Sequence, residues 1–335
     1  MRVTWERISQ YAVYLGYRAF ESLLKLLPLG CVFAIGKLCG WIAYYLLSYY
    51  RNLAQRNIGH AFGKEKTQAQ VQRLSKQAFV TLGANLLSSI KLATMSEKNL
   101  YRHVKFDGEE HIRECVRQDQ GCIYLIAHLG AWEILAHMSQ VSPDIERATL
   151  YRPLSNPYLN AHILGRRERT GLKAFDRKDG FAGPMNHLRK GGTIGILVDQ
   201  HAGDRGHWCP FFGRLASTSS LAPLMAERTG ATMLPLSIMT VGHARWEMRI
   251  GKAFEPTKGD SIATTTAELN LLMEAIIRQS PKDWFWVHNR WKTTTPKFLL
   301  TKYRRGYSLP HGMSENDLKP FKILIRSPNP LGDAC

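Results

Sequence analysis

A chain of 335 residues is long enough to bury a large hydrophobic core, in one domain or in two. Hydrophobic residues make up 44% of it and charged residues 21%, a balance that excludes a disordered tail or a fibrous repeat. Lysine and arginine number 45 against 27 acidic residues, and this net charge of +18 favours nucleic acid, an anionic membrane, a phosphorylated lipid or an acidic carrier protein as partner over a merely solvated surface.

The N-terminal residues predict two helices at a membrane. No removable signal peptide is expected, because no apolar stretch is followed by a small-residue cleavage site. Tyr11 to Leu26 has an apolar face opposite Arg18 and Lys25, a pattern suited to a membrane surface. The rest of the chain is then expected in the cytoplasm, and six scattered cysteines without a C-x-x-C pair fit that reducing compartment.

The second segment, Leu29 to Tyr50, is apolar enough to span a bilayer, which takes about 20 residues. Lys37 opposes a full crossing, since a charge at mid-membrane costs roughly 3 kcal/mol. Tyrosines near the end of the segment, followed by Arg51 and Arg56, resemble an interfacial belt with a positive flank. The segment is therefore predicted to span the membrane or to lie deep in its interface, and a pair of buried core helices is the alternative.

The remainder predicts an α/β domain. A long amphipathic helix is expected from Thr67 to Ala93. Strands are expected at Cys122–Ala127, Ala148–Tyr151, Thr193–Asp199, Thr232–Met239 and Trp246–Gly251. Helices are expected at Ala131–Gln140, Asn156–Thr170, Ser219–Thr229 and Ile262–Arg278. This alternation predicts a mainly parallel central sheet flanked by helices on both faces.

The strongest candidate for catalysis is a histidine and a glutamate close in sequence. His128 stands where the strand Cys122–Ala127 ends, and functional groups collect at such strand ends in open α/β sheets. We expect a turn at Gly130 to bring the Glu133 carboxylate onto the imidazole, which fixes the tautomer and leaves the other ring nitrogen as a base. A general base of this kind contributes a factor of about 10²–10⁴ to the rate. The alternative is a structural histidine whose hydrogen bonds only stabilise the fold.

A basic segment follows the next strand. Arg152 and Pro153 precede Asn156 and Pro157, and the asparagine is a good N-cap for a helix with proline at its first position. Three more arginines follow, namely Arg166, Arg167 and Arg169. Their guanidinium groups are suited to bind phosphates or to stabilise an oxyanion, and a solvated helix face is the alternative.

The third segment places an aspartate at the end of another strand. Asp199 is therefore expected at the same sheet edge as His128. His201 and His207 do not predict a metal site, because no cysteine or carboxylate stands at a suitable spacing. The pair Phe211-Phe212 is suited to an acyl channel or to an ordinary core.

The last segment, Pro281–Lys292, interleaves aromatic and basic residues. Such residues either stack on nucleic-acid bases or form a wall at a membrane interface whose basic tips meet headgroups. Because the N-terminal segments also predict a membrane, we expect Trp286, Arg290 and Trp291 to contact lipid.

In this order, the four segments resemble the late acyltransferases of lipid A biosynthesis, the lauroyl and myristoyl transferases of the H-x4-D/E lysophospholipid acyltransferase superfamily. The resemblance runs from the N-terminal helices to about Lys292, and the joint order of the motifs is more specific than any one of them. The matching residues are His128 and Glu133, Arg152-Pro153 with Asn156-Pro157, Arg167 and Arg169, Asp176–Asp179, Asp199, and Trp286, His288, Arg290 and Lys292.

The resemblance implies a glycerolipid acyltransferase-like fold in three parts. Residues 1–58 are expected as N-terminal membrane-anchoring helices, 59–300 as the catalytic domain and 301–335 as a basic C-terminal tail. The implied enzyme lies on the cytoplasmic face of the bacterial inner membrane. It transfers an acyl chain from acyl carrier protein to a hydroxyl of a phosphorylated lipid, a lipid A precursor, without a metal or other cofactor.

The resemblance also implies roles for single residues. His128 is expected as the general base and Glu133 as its orienting partner. Arg169, with Arg167 and Arg152 as further candidates, is expected to bind the oxyanion or an acceptor phosphate. Asn156 and Asp199 are expected to position substrate or to serve the structure.

Three alternatives remain at this point. The acceptor is another membrane lipid, such as a lysophospholipid, a mannosylated inositol lipid or an amino-acid lipid. The chain is a basic nucleic-acid-binding protein, although its bases are spread out and form no recognised nucleic-acid motif. The chain is a membrane scaffold that keeps the fold without the chemistry, which the presence of both His128 and Glu133 argues against.

Overall fold

The computed structural model describes residues 5–117, 120–137, 145–293 and 307–318. Of the expected C-terminal tail, 301–306 and 319–335 lie outside the described residues. The helices are α1 (Trp5–Leu26), α2 (Leu29–Leu46), α3 (Ser48–Phe62), α4 (Gln68–Leu92), α5 (Glu97–Tyr101), α6 (Glu109–Arg117), α7 (Pro157–Glu168), α8 (Ala182–Arg189), α9 (Leu221–Thr229) and α10 (Ile262–Gln279). The strands are β1 (Val104–Asp107), β2 (Cys122–Ile126), β3 (Arg147–Tyr151), β4 (Leu172–Asp176), β5 (Thr193–Leu197), β6 (His207–Phe211), β7 (Arg214–Thr218), β8 (Thr232–Gly242) and β9 (Arg245–Ile250).

Seven strands form one sheet in the order β1-β9-β8-β2-β5-β3-β4. The five strands from β8 to β4 run parallel, and β9 pairs antiparallel with β8 through a tight connection. β6 and β7 form a separate hairpin. The prediction of an α/β fold with a mainly parallel central sheet is confirmed.

The two faces of the central strands are covered differently. Ile123 and Leu125 of β2 and Ile194 and Ile196 of β5 are buried in the larger hydrophobic core, where residues of α9 and α10 join them. Side chains alternate between the faces of a strand, so Tyr124 and Gly195 point to the opposite side. There the described helices α1, α4 and α7 do not close down on the sheet, and a cavity remains between them.

The N-terminal apolar segment is interrupted. Leu47 has a non-helical backbone conformation, so that α2 ends at Leu46 and α3 begins at Ser48. Among the described helices, α2 is the one long and apolar enough to cross a membrane, and a third of it is buried inside the protein. Lys37 lies on its exposed side.

Glycines allow α2 to pack closely along α4. A Cβ at Gly36 or Gly40 would meet the α4 backbone, and a Cβ at Gly83 would meet the α2 backbone. Small residues at matching positions let two helix backbones approach each other. The protein thus holds α2 against α4 along its glycine face.

Periodicity alone did not reveal several elements. The strands β1 and β4, the helices α6 and α8 and the β6–β7 hairpin were not predicted. The expected helix Ala131–Gln140 is a 3-10 helical turn over Trp132–His137, and 138–140 lie outside the described residues. These segments are short, and a short segment has too few residues to display a period.

Substitution of Gly40 by valine tests the packing of α2 on α4. Gly40→Val should lower the free energy of unfolding by about 1–3 kcal/mol, the usual cost of forcing extra methyl groups into a packed interface. Chemical denaturation in detergent micelles, followed by circular dichroism, measures the change. Gly16→Val is the matched control, because a Cβ at Gly16 in α1 meets no heavy atom within 4 Å. Equal effects of the two substitutions would contradict the close packing.

Candidate active site

His128 follows the carboxyl end of β2, where the chain turns sharply at Gly130. Gly130 has a φ of 59°, a conformation that favours glycine, and its Cβ position is occupied by the backbone of Ile238. Its N–H donates to the carbonyl of Asp283 at 2.9 Å. The N–H of Phe285 donates to the carbonyl of His128 at 3.0 Å, so the segment after Asp283 holds this turn in place.

Asp199, at the end of β5, grips His128 through two hydrogen bonds. Its Oδ1 lies 2.7 Å from the His128 Nδ1, and its Oδ2 accepts from the His128 backbone N–H at 2.8 Å. The indole N–H of Trp284 donates to the same Oδ2 at 2.7 Å. The Asp199 side chain is 1% exposed, so these donors supply the hydrogen bonds that water would otherwise make to the carboxylate.

The charges of this pair stabilise each other. Burial alone would raise the pKa of Asp199, but the nearby His128 and the hydrogen bonds from His128 and Trp284 lower it to about 2. Burial likewise would lower the pKa of His128, but the charge and hydrogen bond of Asp199 outweigh it and hold that pKa above its usual value. Asp199 is therefore ionised at neutral pH, and the imidazolium is favoured more than in water.

An ionised Asp199 also fixes the tautomer of neutral His128. A carboxylate only accepts hydrogen bonds, so the proton of the ring must sit on Nδ1. Nε2 then carries the lone pair, and the Gln200 side-chain nitrogen lies 3.1 Å from it. This is the arrangement of an imidazole base whose Nδ1 is braced by a carboxylate, while the Nε2 lone pair accepts a hydrogen bond from Gln200 that an acceptor hydroxyl would replace.

The predicted contact between Glu133 and the imidazole is wrong. Glu133 turns away and pairs with Arg167, with its Oε2 2.7 Å from the Arg167 Nη2, while the Trp132 indole N–H donates to its Oε1 at 3.2 Å. The left-handed turn at Gly130 and the 3-10 geometry of the following residues direct the carboxylate toward α7 instead. Its negative charge still contributes to the raised pKa of His128, as the smallest of the causes.

The arginines predicted to bind an oxyanion or phosphate lie in different places. Arg152 and Arg167 line the cavity beside β2, β3 and β5. Arg169 instead lines a separate cavity of about 380 Å³, with Glu97 and His137 among its neighbours. The end of α7 separates the arginines because consecutive helical residues point in different directions.

Asn156 serves the structure. Its Oδ1 accepts from the N–H groups of Tyr158 and Leu159, at 3.0 and 3.1 Å, and so caps the N-terminus of α7. Its Nδ2 donates to the carbonyl of Gln10 in α1 at 2.7 Å. The N-cap prediction is confirmed, whereas the suggested positioning of substrate by Asn156 stays a prediction.

The predicted lipid contacts of the C-terminal aromatic segment are wrong. Trp286 is 1% exposed, Arg290 0% and Trp291 5%. Arg290 donates to the carbonyl of Ser217 and to the Thr218 hydroxyl, and burial lowers its pKa to about 10. These side chains join the hairpin to the core, and their burial also removes the aromatic surface on which the nucleic-acid alternative depended.

A cavity of about 680 Å³ opens beside the histidine. Its size falls within the about 300–1,000 Å³ typical of pockets that bury small ligands. The lining is mainly apolar and comes from the sheet, from α1, α4 and α7 and from the 3-10 turn. His128 is not part of the lining, but the ring of Trp132 lines the cavity and stands 5.2 Å from the imidazole, centroid to centroid.

Comparison with known proteins assigns the family. The model of the bacterial lipid A biosynthesis acyltransferases matches residues 4–293. The chain belongs to this family. The resemblance noted from the motifs and the class of enzyme, an acyltransferase, are thereby confirmed.

Similar proteins carry different acyl groups in their names. A lipid A biosynthesis lauroyltransferase of Escherichia coli is 24% identical over 84% of this chain and 91% of its own length. A palmitoleoyltransferase of Escherichia coli is 21% identical over 80% of this chain and 87% of its own length. Among solved structures, the 1-acyl-sn-glycerophosphate acyltransferase of Thermotoga maritima matches 73% of this chain and 95% of its own, at 14% identity and a TM-score of 0.36.

Sequence reasoning missed Gln200, which lies beside Nε2 of His128, and Trp284, which donates to the Asp199 carboxylate. Gln200 and Trp284 are polar or aromatic residues that no spacing rule connects to His128. The available signal for Asp199 was its place at a strand end, which correctly put it at the same edge of the sheet. Within the described ranges, no three histidine, cysteine or carboxylate side chains are grouped as metal ligands would be.

The pKa of His128 tests which carboxylate braces it. Asp199→Asn should lower this pKa, because the substitution removes the negative charge and the hydrogen bond to a carboxylate that together raise it. Nuclear magnetic resonance titration of the ring protons measures the shift. Glu133→Gln is the matched control and should lower the pKa much less. A larger shift in the Glu133 variant would contradict the arrangement.

Proposed function

We propose that His128 is the general base of an acyl transfer from a thioester, carried by acyl carrier protein, to a hydroxyl group of a lipid A precursor. Membership of the family supports acyl transfer in lipid A biosynthesis. The observation that carries the catalytic role is the imidazole held at Nδ1 by the buried Asp199. The net charge of +18 suits both a phosphorylated acceptor and an acidic carrier.

The proposed reaction proceeds without a covalent acyl-enzyme. Nε2 of His128 removes the proton from the acceptor hydroxyl while the hydroxyl oxygen attacks the thioester carbonyl carbon. The tetrahedral intermediate collapses, the carbon–sulfur bond breaks, and the imidazolium returns the proton to the departing thiolate. The products are an ester and a free thiol. Asp199 stabilises the imidazolium between these two proton transfers.

The cavity supports the assignment of an acyl donor. Trp132 links the imidazole to an apolar space, so a carbonyl carbon at His128 leaves its acyl chain a path along the sheet. Arg152 and the Glu133–Arg167 pair line the same space. We propose that Arg152 and Arg167 bind the carbonyl oxyanion or an acceptor phosphate, and that Glu133 orients Arg167 rather than the histidine.

The orientation of α1 supports a place at the surface of a membrane, which we propose to be the cytoplasmic face of the inner membrane. Its polar side faces the protein, where fully buried Glu21 forms ion pairs with Arg166 of α7 and with Arg18 of its own helix. Its opposite side exposes large apolar residues, namely Trp5, Ile8, Leu15, Leu23 and Leu26. α2 likewise exposes Ile35, Leu38, Trp41, Ile42 and Leu46. Apolar faces of this size favour insertion into the interface of a bilayer.

Replacement of the histidine tests the reaction. His128→Gln should reduce kcat by about 10²–10⁴, since the variant keeps a hydrogen-bonding side chain but loses the base. Turnover is measured with acyl carrier protein as donor and a lipid A precursor as acceptor, with product masses by mass spectrometry. His103→Gln is the matched control, because His103 directly precedes β1 at the edge of the sheet. Near-normal turnover of the His128 variant would end this mechanism, and lipid extracts of a deletion strain show which lipid lacks its acyl chain.

Charges on the exposed face of α1 test the membrane contact. Leu15→Glu with Leu23→Glu should reduce binding to anionic phospholipid vesicles at least about tenfold, because burial of one leucine is worth about 1.5–3 kcal/mol. Co-sedimentation measures the bound fraction. Ser9→Glu with Ser22→Glu adds the same charge to the same helix without removing an apolar side chain. Equal losses in both variants would mean that charge, and not apolar contact, governs the binding.

A further inference from the structure

The backbone conformation of Gly195 does not require a glycine. It occupies the middle of β5 (Thr193–Leu197), with regular parallel pairing on both sides. Its φ is not positive, so that any residue is allowed there. Glycine weakens a strand interior and often marks a place where a ligand approaches the backbone.

The pairing places Gly195 between two larger residues that face the same way. Tyr124 of β2 is its partner on one side and Thr149 of β3 on the other, and all three line the cavity. Because the sheet order is β2-β5-β3, the glycine lies at the centre of this row. The floor of the cavity is therefore lowest at Gly195.

Two further rows show where this position lies along the cavity. Nearer to His128, Leu197 pairs with Ile126, and farther away Thr193 pairs with Arg147, all within the lining. The strand rises about 13 Å from Leu197 to Thr193, at about 3.3 Å per residue. Gly195 thus lies about halfway from the histidine end of the cavity to its far end.

A side chain at this position would enter the cavity and little else. A Cβ built on Gly195 meets one atom, the Cδ1 of Ile126, at 3.1 Å. That atom is the end of a side chain that can rotate, so the strand itself would accept a larger residue. Glycine at position 195 is therefore explained by the space it leaves in the cavity, because neither the backbone conformation nor the packing of the strand requires it.

We infer that Gly195 is the specificity-determining residue for acyl chain length: its bare backbone admits the distal part of the chain past the middle row of the cavity. This inference rests on the proposed function, since it assigns the cavity to the acyl group of the donor. Leu172, which pairs with Arg147 and lines the far row, then closes the distal end.

Competition among donors of different length tests the inference. The purified full-length enzyme is given a lipid A precursor and an equimolar mixture of acyl carrier proteins that carry octanoyl to palmitoyl chains. Mass spectrometry of the lipid products measures which chain lengths are transferred. Gly195→Val should shift the product distribution to shorter chains, with kcat/KM falling about fourfold per excluded methylene group, which corresponds to the about 0.8 kcal/mol of one buried CH₂. Leu172→Ala should shift the distribution to longer chains.

Two controls separate the outcomes. Gly242→Val introduces the same side chain into a strand outside the cavity, where the nearest atom to a Cβ lies at 3.6 Å, and should leave the distribution unchanged. Gly195→Ala, with the smallest added volume, carries the test should the valine variant fail to fold. Equal losses for all donors in a folded Gly195 variant would overturn the inference. Absence of transfer by the unaltered enzyme would instead overturn the proposed function.

Discussion

The buried carboxylate of Asp199 is the interaction on which the site depends. An ionised carboxylate removed from water costs several kcal/mol unless charges and donors compensate it. Here the compensation comes from the ring and the backbone N–H of His128 and from the indole of Trp284. Loss of any donor leaves a buried charge partly unpaired, so the three chain segments are held together by one electrostatic requirement. The same requirement sets the tautomer and raises the pKa of His128.

The alternation of side chains along the sheet relates the position of His128 and Asp199 to that of the cavity. In β5, Ile194 and Ile196 point into the core, while Gly195 and Leu197 line the cavity, and Asp199 follows two residues later. The strand that supplies the carboxylate thus also supplies the cavity floor. A shift of one residue in its pairing would exchange the two faces and displace the carboxylate. The position of the carboxylate and the lining of the cavity are therefore fixed by a single register.

The sequence predicted those features that follow from period and position. The strands around His128 and Asp199 and the cap at Asn156 were found because buried strands and N-caps have local signatures. The partner of the histidine was not, because closeness in sequence favoured Glu133, whereas the turn at Gly130 directs that side chain to α7. Arg290 was assigned to the surface by its charge, and only tertiary structure reveals the Ser217 and Thr218 oxygens that make its burial tolerable.

The same limit applies to α1, and there it has a functional consequence. An amphipathic pattern predicts two faces but does not say which one meets the protein. Glu21 decides the matter, because its buried carboxylate is paired with Arg166 of α7, which commits the polar face inward and the apolar face outward. Tyr17, on the inward side, lines the cavity. One helix therefore forms both a wall of the cavity and the surface proposed to enter the bilayer, so the proposed acyl site and the proposed membrane contact lie on opposite sides of α1.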